Sequence, residues 1–172
     1  EGGERKIFIK SIFETQNLIF NFLSAEDISI IKTVKSKGKF SLKKSLWALG
    51  IVTGDNKKKI SPSARKDMKK IFTGKEIQPF LLKPAKNYLL YDRKNLQQVA
   101  SDEIYRAEEK LVYKFISDKL VFAYDNSGSL FLNSANILIP KIPDMNIKTV
   151  MAFLNSALFQ FMYLKLFGEV KI

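Results

Sequence analysis

Hydrophobic and polar positions divide the chain into three stretches of different period. Residues 7–23 are dense in Ile, Phe and Leu without a clean repeat. They are expected to form a buried leader that docks on a core or on an upstream domain. Ser24 then precedes Ala-Glu-Asp, an N-cap followed by acids placed against the positive end of a helix dipole. Ile28, Ile31 and Val34 recur at helical spacing, and Gly38 stands where helices commonly stop. The pattern predicts a short amphipathic helix over 25–37.

Beyond Phe40 the period shortens. Residues 46–52 (Leu-Trp-Ala-Leu-Gly-Ile-Val) form an apolar run that ends in the turn signal Thr53, Gly54, Asp55, Asn56. Residues 57–70 are basic and turn-rich; Ile71-Phe72 and 80–82 then flank Gly74, Lys75, Glu76 and Ile77. Further short runs at 88–91, 111–115, 120–124, 130–132 and 137–139 are β-branched or aromatic, with Gly, Asn, Asp, Ser or Pro between them. This predicts an α+β chain whose centre is a compact, mostly antiparallel β-rich body, with helices at both ends. Pro140 and Pro143 close the body, and 146–167 read as one long apolar helix capped by Asn146. The expected division is 1–37, a leader and linking helix; 38–145, the β-rich body; and 146–172, a C-terminal helix. Apolar residues from Val150 to Phe167 cover nearly every angle at about 100° per residue, so the helix needs cover all round. Where cover is missing, self-association through this helix is expected.

Composition narrows the chemistry. The chain has 172 residues, 46% hydrophobic, with 14 Phe, which is ample for one core and excludes global disorder. It has no Cys and no His, which removes disulfides, thiolate or imidazole metal sites and imidazole bases together. A binding module is favoured over a catalyst. The net charge is +12, and the 41 residues from Lys35 to Lys75 hold 13 basic side chains against only Asp55 and Asp67. A genome-wide preference for Lys would spread that charge evenly; here it is concentrated, the footprint of a nucleic-acid surface or, less often, an anionic lipid surface. The start, Glu1-Gly-Gly-Glu without Met, lacks a signal-peptide pattern and reads as a fragment of a longer chain. The most apolar stretch is interrupted by Asn155, Ser156, Gln160 and Lys165, so no membrane span is expected and the location is taken as cytoplasmic.

Candidate residues follow from this segment. Lys43, Lys44, Lys57, Lys58 and Lys59, with Lys66, Lys69, Lys70 and Lys75, are candidates for phosphate contacts. Thr53, Gly54, Asn56 and Arg65 are candidates for base or backbone contacts, since glycine admits a close backbone and Thr and Asn offer hydrogen bonds. Asn133, Ser134 and Asn136 read first as hairpin-turn residues, although Asn also suits adenine in a major groove. Asp102, Glu108 and Lys110 superficially match a nuclease metal pattern, but Glu109 adjoins Glu108 and no apolar strand precedes Asp102. A solvated turn leading into the strand at Leu111 is the expected reading. No metal site and no catalytic residue are expected.

Several blocks in a fixed order carry a resemblance. They are Gly-Ile-x-Thr-Gly-x-Asn (50–56), Thr-Gly-Lys-Glu-Ile (73–77), Lys-Leu-Val-Tyr-Lys-Phe-Ile-Ser (110–117), Leu-Val-Phe-Ala-Tyr-Asp (120–125), Leu-Asn-Ser-Ala-Asn-Ile-Leu-Ile-Pro (132–140) and Ala-Phe-Leu-Asn-Ser-Ala-Leu-Phe-Gln-Phe (152–161). From about Lys35 onward the chain resembles the TaqI-like C-terminal specificity domain, the target recognition domain of N6-adenine DNA methyltransferases and fused restriction–modification enzymes. The resemblance implies sequence-specific binding of double-stranded DNA as part of a restriction–modification adenine methyltransferase. It also implies an upstream methyltransferase domain holding S-adenosylmethionine, and a C-terminal helix that is the first half of a helical hairpin. The chain lacks that enzyme's Gly-rich turn and its Asn/Asp-Pro-Pro-aromatic motif; Lys83-Pro84-Ala85 is the nearest string. It therefore carries no cofactor of its own in this reading. A specificity subunit acting in trans and, in a different class, a Lys-rich peripheral membrane module are the alternatives.

Overall fold

Ser24 opens the first helix through a reciprocal cap. Its hydroxyl accepts from the Asp27 amide at 3.1 Å, and the Asp27 carboxylate accepts from the Ser24 amide at 3.1 Å. The resulting α1, Ala25–Lys37, has the bounds expected from the sequence and ends with the Gly38 amide donating to Val34 at 3.0 Å. Gly38 itself is extended (φ −67°), so the helix stops without a left-handed residue. The structure, a computed structural model, describes residues 23–167. The leader expected at 7–23 lies, apart from Leu23, outside the described residues.

Ten strands make the body: β1 Leu46–Leu49, β2 Ile60–Ser61, β3 Met68–Phe72, β4 Ile77–Gln78, β5 Leu81–Leu82, β6 Asn87–Leu90, β7 Lys110–Lys114, β8 Phe122–Asp125, β9 Leu130–Phe131 and β10 Ala135–Ile139. Short helices α2 (Asn56–Lys59) and α3 (Asp102–Tyr105) interrupt them, and α4 (Ile147–Leu154) and α5 (Ala157–Phe167) follow. One four-stranded sheet runs β1-β10-β7-β8, entirely antiparallel; a second runs β2-β6-β3-β9, with β3 and β9 parallel; β4 and β5 form a ribbon. This is the α+β, β-rich architecture that the spacing of short runs predicts.

Period-two alternation gives the first sheet two buried faces. Val112, Ala123 and Ile137 join a core with Ile51, Ile71, Leu89 and Phe131, while Leu111, Phe122 and Leu138 pack with Val150, Met151 and Leu154 of α4. A sheet buried on both sides explains why these strands read as continuous apolar runs.

The single helix expected over 146–167 is two helices bent by 58°. Asn146 caps α4 as expected, its side chain accepting from Lys148. The break is made by Asn155, whose amide accepts from the Phe122 N–H and donates to the Phe122 carbonyl, both at 2.9 Å. That bidentate clamp on a strand peptide holds the chain to β8, and Ser156 restarts it by accepting from the Phe159 amide at 3.2 Å. Among the described residues no single helix is long and apolar enough to cross a membrane. By contacts the chain divides into two units, 41–160 and 1–40 with 161–172. In the latter, Lys165 pairs with Asp27 at 2.8 Å, and its hydrogen bond holds that carboxyl below its ordinary pKa.

One turn ties the body together. Leu132 to Ala135 closes on itself through Ala135 N–H to the Leu132 carbonyl, 2.8 Å. The Ala135 carbonyl accepts from Gly50, Asn133 N–H donates to Ile51, Leu132 N–H donates to Phe72, and the Ser134 carbonyl accepts from Phe115. A Cβ on Gly50 would stand 2.2 Å from the Leu132 oxygen, and one on Gly74 2.5 Å from the Ser134 oxygen. The Gly50→Ala variant is therefore expected to lose about 1–3 kcal/mol, a fall in Tm of roughly 2–10 °C. Gly38→Ala, whose Cβ meets nothing nearer than 3.5 Å, should be close to neutral. Thermal unfolding of the two variants beside the parent chain checks the contrast.

Candidate nucleic-acid interface

The 132–135 turn also gathers the polar residues that the sequence scatters. A cleft of about 670 Å³ is lined by Asn56, by Thr73, Gly74 and Lys75, by Asn87, by Lys114, Phe115 and Ile116, and by Leu132, Asn133 and Ser134. A smaller one of about 250 Å³ is lined by Val52, Thr53, Gly54, Asn56, Gln97 and Asn133. Asn56 and Asn133 belong to both, so the two clefts share a wall. Neither is lined by an acidic side chain, which suits a polyanion.

Local chemistry sets each wall. Asp55 caps α2 by accepting from the Lys58 amide at 3.1 Å, and Gly54 takes a left-handed turn (φ +79°) that only glycine adopts freely. Thr53 is buried to 2% exposure and donates its hydroxyl to Asn56 Oδ1 at 2.5 Å. Thr53, a candidate for base or backbone contacts, is thus placed to orient Asn56. Glu76, also buried, accepts from the Thr73 amide and hydroxyl, each at 2.7 Å, and leaves Lys75 exposed at the turn. Gly74 donates to the Ser134 hydroxyl at 3.0 Å, and Asn133 beside it is exposed with no side-chain hydrogen bond among the described residues. Gly50 and Gly74 serve this packing of backbone on backbone, not the approach of a phosphate.

The candidate lysines do not form one patch. Lys57 and Lys58 are exposed on α2, next to Asn56; Lys58 also lies 3.7 Å from Asp55. The Lys59 ammonium turns inward and donates to the carbonyls of Thr53 and Asn95. Lys43 and Lys44 precede β1 at the end where Leu46 meets Ile139, whereas the clefts lie beyond the end where Leu49 meets Asn136. Arg65 accepts from the Met68 amide at 3.2 Å, so it and Lys66 stand by the start of β3, a strand-length from Thr73. Lys69 lies over the Tyr91 ring at 5.2 Å, and Lys70 is exposed opposite Tyr88. Asn87, Gln97, Lys114, Phe115 and Ile116 also line the clefts and were not among the candidates read from the sequence.

The nuclease-like pattern is dispersed. Asp102 binds Arg93 at 2.8 Å and Tyr91 at 2.6 Å, and these hydrogen bonds, the Tyr91 one foremost, hold its carboxyl below its ordinary pKa. Among the described residues no three His, Cys, Asp or Glu gather as metal ligands. Lys110, expected on a solvated turn, is fully buried instead. Its ammonium meets Asp125 at 2.5 Å and the Tyr105 carbonyl at 2.7 Å, while Asp125 also accepts from the Ser127 and Ser129 amides. Burial pulls the Lys110 pKa down. Burial pushes the Asp125 carboxyl up, but its bonds from Lys110 and Ser127 outweigh that and leave it below the usual value.

The profile of the TaqI-like C-terminal specificity domain matches residues 69–171. The chain belongs to that family. A specificity domain recognises sequence and leaves catalysis to other parts, which ties this one to DNA recognition in a methyltransferase-associated protein. No curated protein matches the chain. The match spans β3 to α5, so it takes in the cleft walls at 73–75, 114–116 and 132–134, whereas Lys43, Lys44 and α2 precede it.

Replacing Lys110 by Met leaves Asp125 buried without its counter-ion. The expected cost at pH 7 is about 3–5 kcal/mol. The sign with pH follows from Asp125. In the parent chain its lowered pKa contributes stability above the unfolded value of 3.8, lost as pH falls through the folded value. In the variant, burial unopposed by Lys110 raises that pKa, so its penalty is full near neutrality and shrinks on acidification. The gap between the two proteins in denaturant unfolding should therefore narrow from pH 7 to pH 3.

Proposed function

We propose that this chain binds double-stranded DNA sequence-specifically, as the target recognition domain of a restriction–modification adenine methyltransferase. The observation that carries the reading is the meeting of three turns, 53–56, 73–76 and 132–135, at one acid-free cleft walled by Asn56, Lys75, Lys114, Asn133 and Ser134. Uncharged amides and hydroxyls read base edges, and the cations beside them neutralise phosphates. Asn133 is the foremost base reader, because both ends of its amide are available for the bidentate contact that adenine accepts. Lys57, Lys58 and Lys75 supply the nearest phosphate contacts; Lys43, Lys44, Arg65, Lys66, Lys69 and Lys70 meet the duplex further along.

Methyl transfer belongs to a separate catalytic domain, on the same polypeptide or acting in trans. The clefts carry no carboxylate to hold a ribose diol, so they do not suit S-adenosylmethionine, and that cofactor is assigned to the catalytic part. This domain's contribution is to fix which adenine is presented for flipping.

Selection from a random duplex pool on the immobilised chain should enrich one short site. Asn133→Ala should reduce discrimination at one base pair by about 1–3 kcal/mol and leave the salt dependence unchanged. Changing Lys57, Lys58 and Lys75 to Gln should do the opposite: weaker binding to every sequence, and a salt slope smaller by up to roughly 0.9 per lost phosphate contact. Lys59→Gln should change that slope little, since its ammonium is held by backbone carbonyls. A pool without enrichment, or equal binding to anionic vesicles at matched salt, would overturn the reading.

A further inference from the structure

The cleft has one wall that phosphate and base edges do not explain. Between β7 and β8 the chain exposes Phe115 at 58% and Ile116 at 86%. Both line the cleft with Lys75, Lys114, Asn133 and Ser134. An apolar pair this exposed on a loop tip, next to cations, is costly in water unless something apolar covers it. The tip is also held in place. Lys114 pairs with Ala135 across the sheet, and the Phe115 amide donates to the Ser134 carbonyl at 3.1 Å. The pair thus hangs from the same turn that carries Asn133.

Its occupant must be apolar on one face and anionic around it. Lys75 and Lys114 exclude a purely hydrocarbon partner, and no acidic side chain lines the cleft to attract a basic one. On the tip itself, Asp118 and Lys119 are exposed and oppose each other in charge. Stacked bases flanked by phosphates meet the description. We propose that Phe115 and Ile116 form a wedge that contacts and partly unstacks a base step of duplex DNA beside the base pair read by Asn133. The inference rests on the DNA-binding reading above and adds to it a deformation of the duplex. Apolar side chains inserted at base steps unstack and kink the helix. Specificity then depends on how easily the local step deforms, as well as on hydrogen bonds.

The test uses the full chain and duplexes carrying 2-aminopurine, whose fluorescence rises on unstacking, placed at each position of the selected site in turn. The parent chain should bind and brighten one position. The double variant Phe115→Ser, Ile116→Ser should lose that signal and bind on the order of ten- to a hundredfold more weakly, with an unchanged salt slope. Lys75→Gln should keep the signal at saturation while lowering the slope. Both altered residues are solvent-exposed, and an unchanged Tm confirms that the fold survives. If the parent binds no duplex, the DNA reading itself fails and the wedge with it. If the parent binds and selects a site but brightens no position, or the double variant matches the parent, the wedge alone is wrong.

Discussion

No side chain fits at positions 50 and 74. The 132–135 turn lies so close to both that its Leu132 and Ser134 oxygens occupy the space where a Cβ would be. This contact of backbone on backbone is the constraint on which the rest of the body hangs. It lets β10 pair with β1, and it lets the end of β3 hydrogen-bond to Leu132 through Phe72. It also fixes the loop after β7 through Phe115. Residues 56, 73, 115 and 133, from four different turns, thereby share one cleft. Loops positioned by sheets in this way combine variable side chains with a fixed frame, which is what a recognition surface needs.

Charge plays a broader and weaker part than the sequence suggests. Side chains further apart than the Debye length, about 8 Å at physiological ionic strength, are largely screened from each other. Lys43 and Lys44 lie across β1 from the cleft, at roughly 3.3 Å per residue, so they add little to its potential. In the proposed reading they would act only by touching a phosphate of their own. The basic segment is thus several separate contacts, and its steep collective effect would appear only on a ligand long enough to reach them all, as a duplex is. The same distribution disfavours a small anionic ligand.

Features set by local chemistry were legible, and those set by distant contacts were not. The helix α1 follows from Ser24, Asp27 and Gly38, which lie within one helix of each other. The strands follow from short β-branched runs between turn residues. By contrast, the end of α4 depends on Asn155 clamping the Phe122 backbone, 33 residues away, and the local sequence, with no Pro or Gly at that point, does not show that partner. Lys110 shows the same limit. Beside Glu108 and Glu109 it looks solvated, and only the register of β7 with β8, which places it opposite Asp125, puts its ammonium in the core. Gly50 and Gly74 are each approached by a turn some 60 to 80 residues further on, a contact that no local pattern announces.

The hydrogen-bond inventory separates the asparagines that line the clefts. Asn56 stands in a conspicuous motif, yet Thr53 already donates to its Oδ1. The oxygen keeps one acceptor position, and its direction is set by the protein, so Asn56 chiefly offers its NH₂ donors to the cleft. A bidentate contact with adenine needs the amide to accept from N6 and donate to N7 together, with the side chain free to align. Asn133 meets that requirement, being exposed and without a partner among the described residues. Asn56 suits a single contact to an acceptor, a phosphate oxygen or a base edge, from a pre-set direction. In the proposed reading, the two asparagines on the shared wall therefore divide the work, one positioning the duplex and the other reading it.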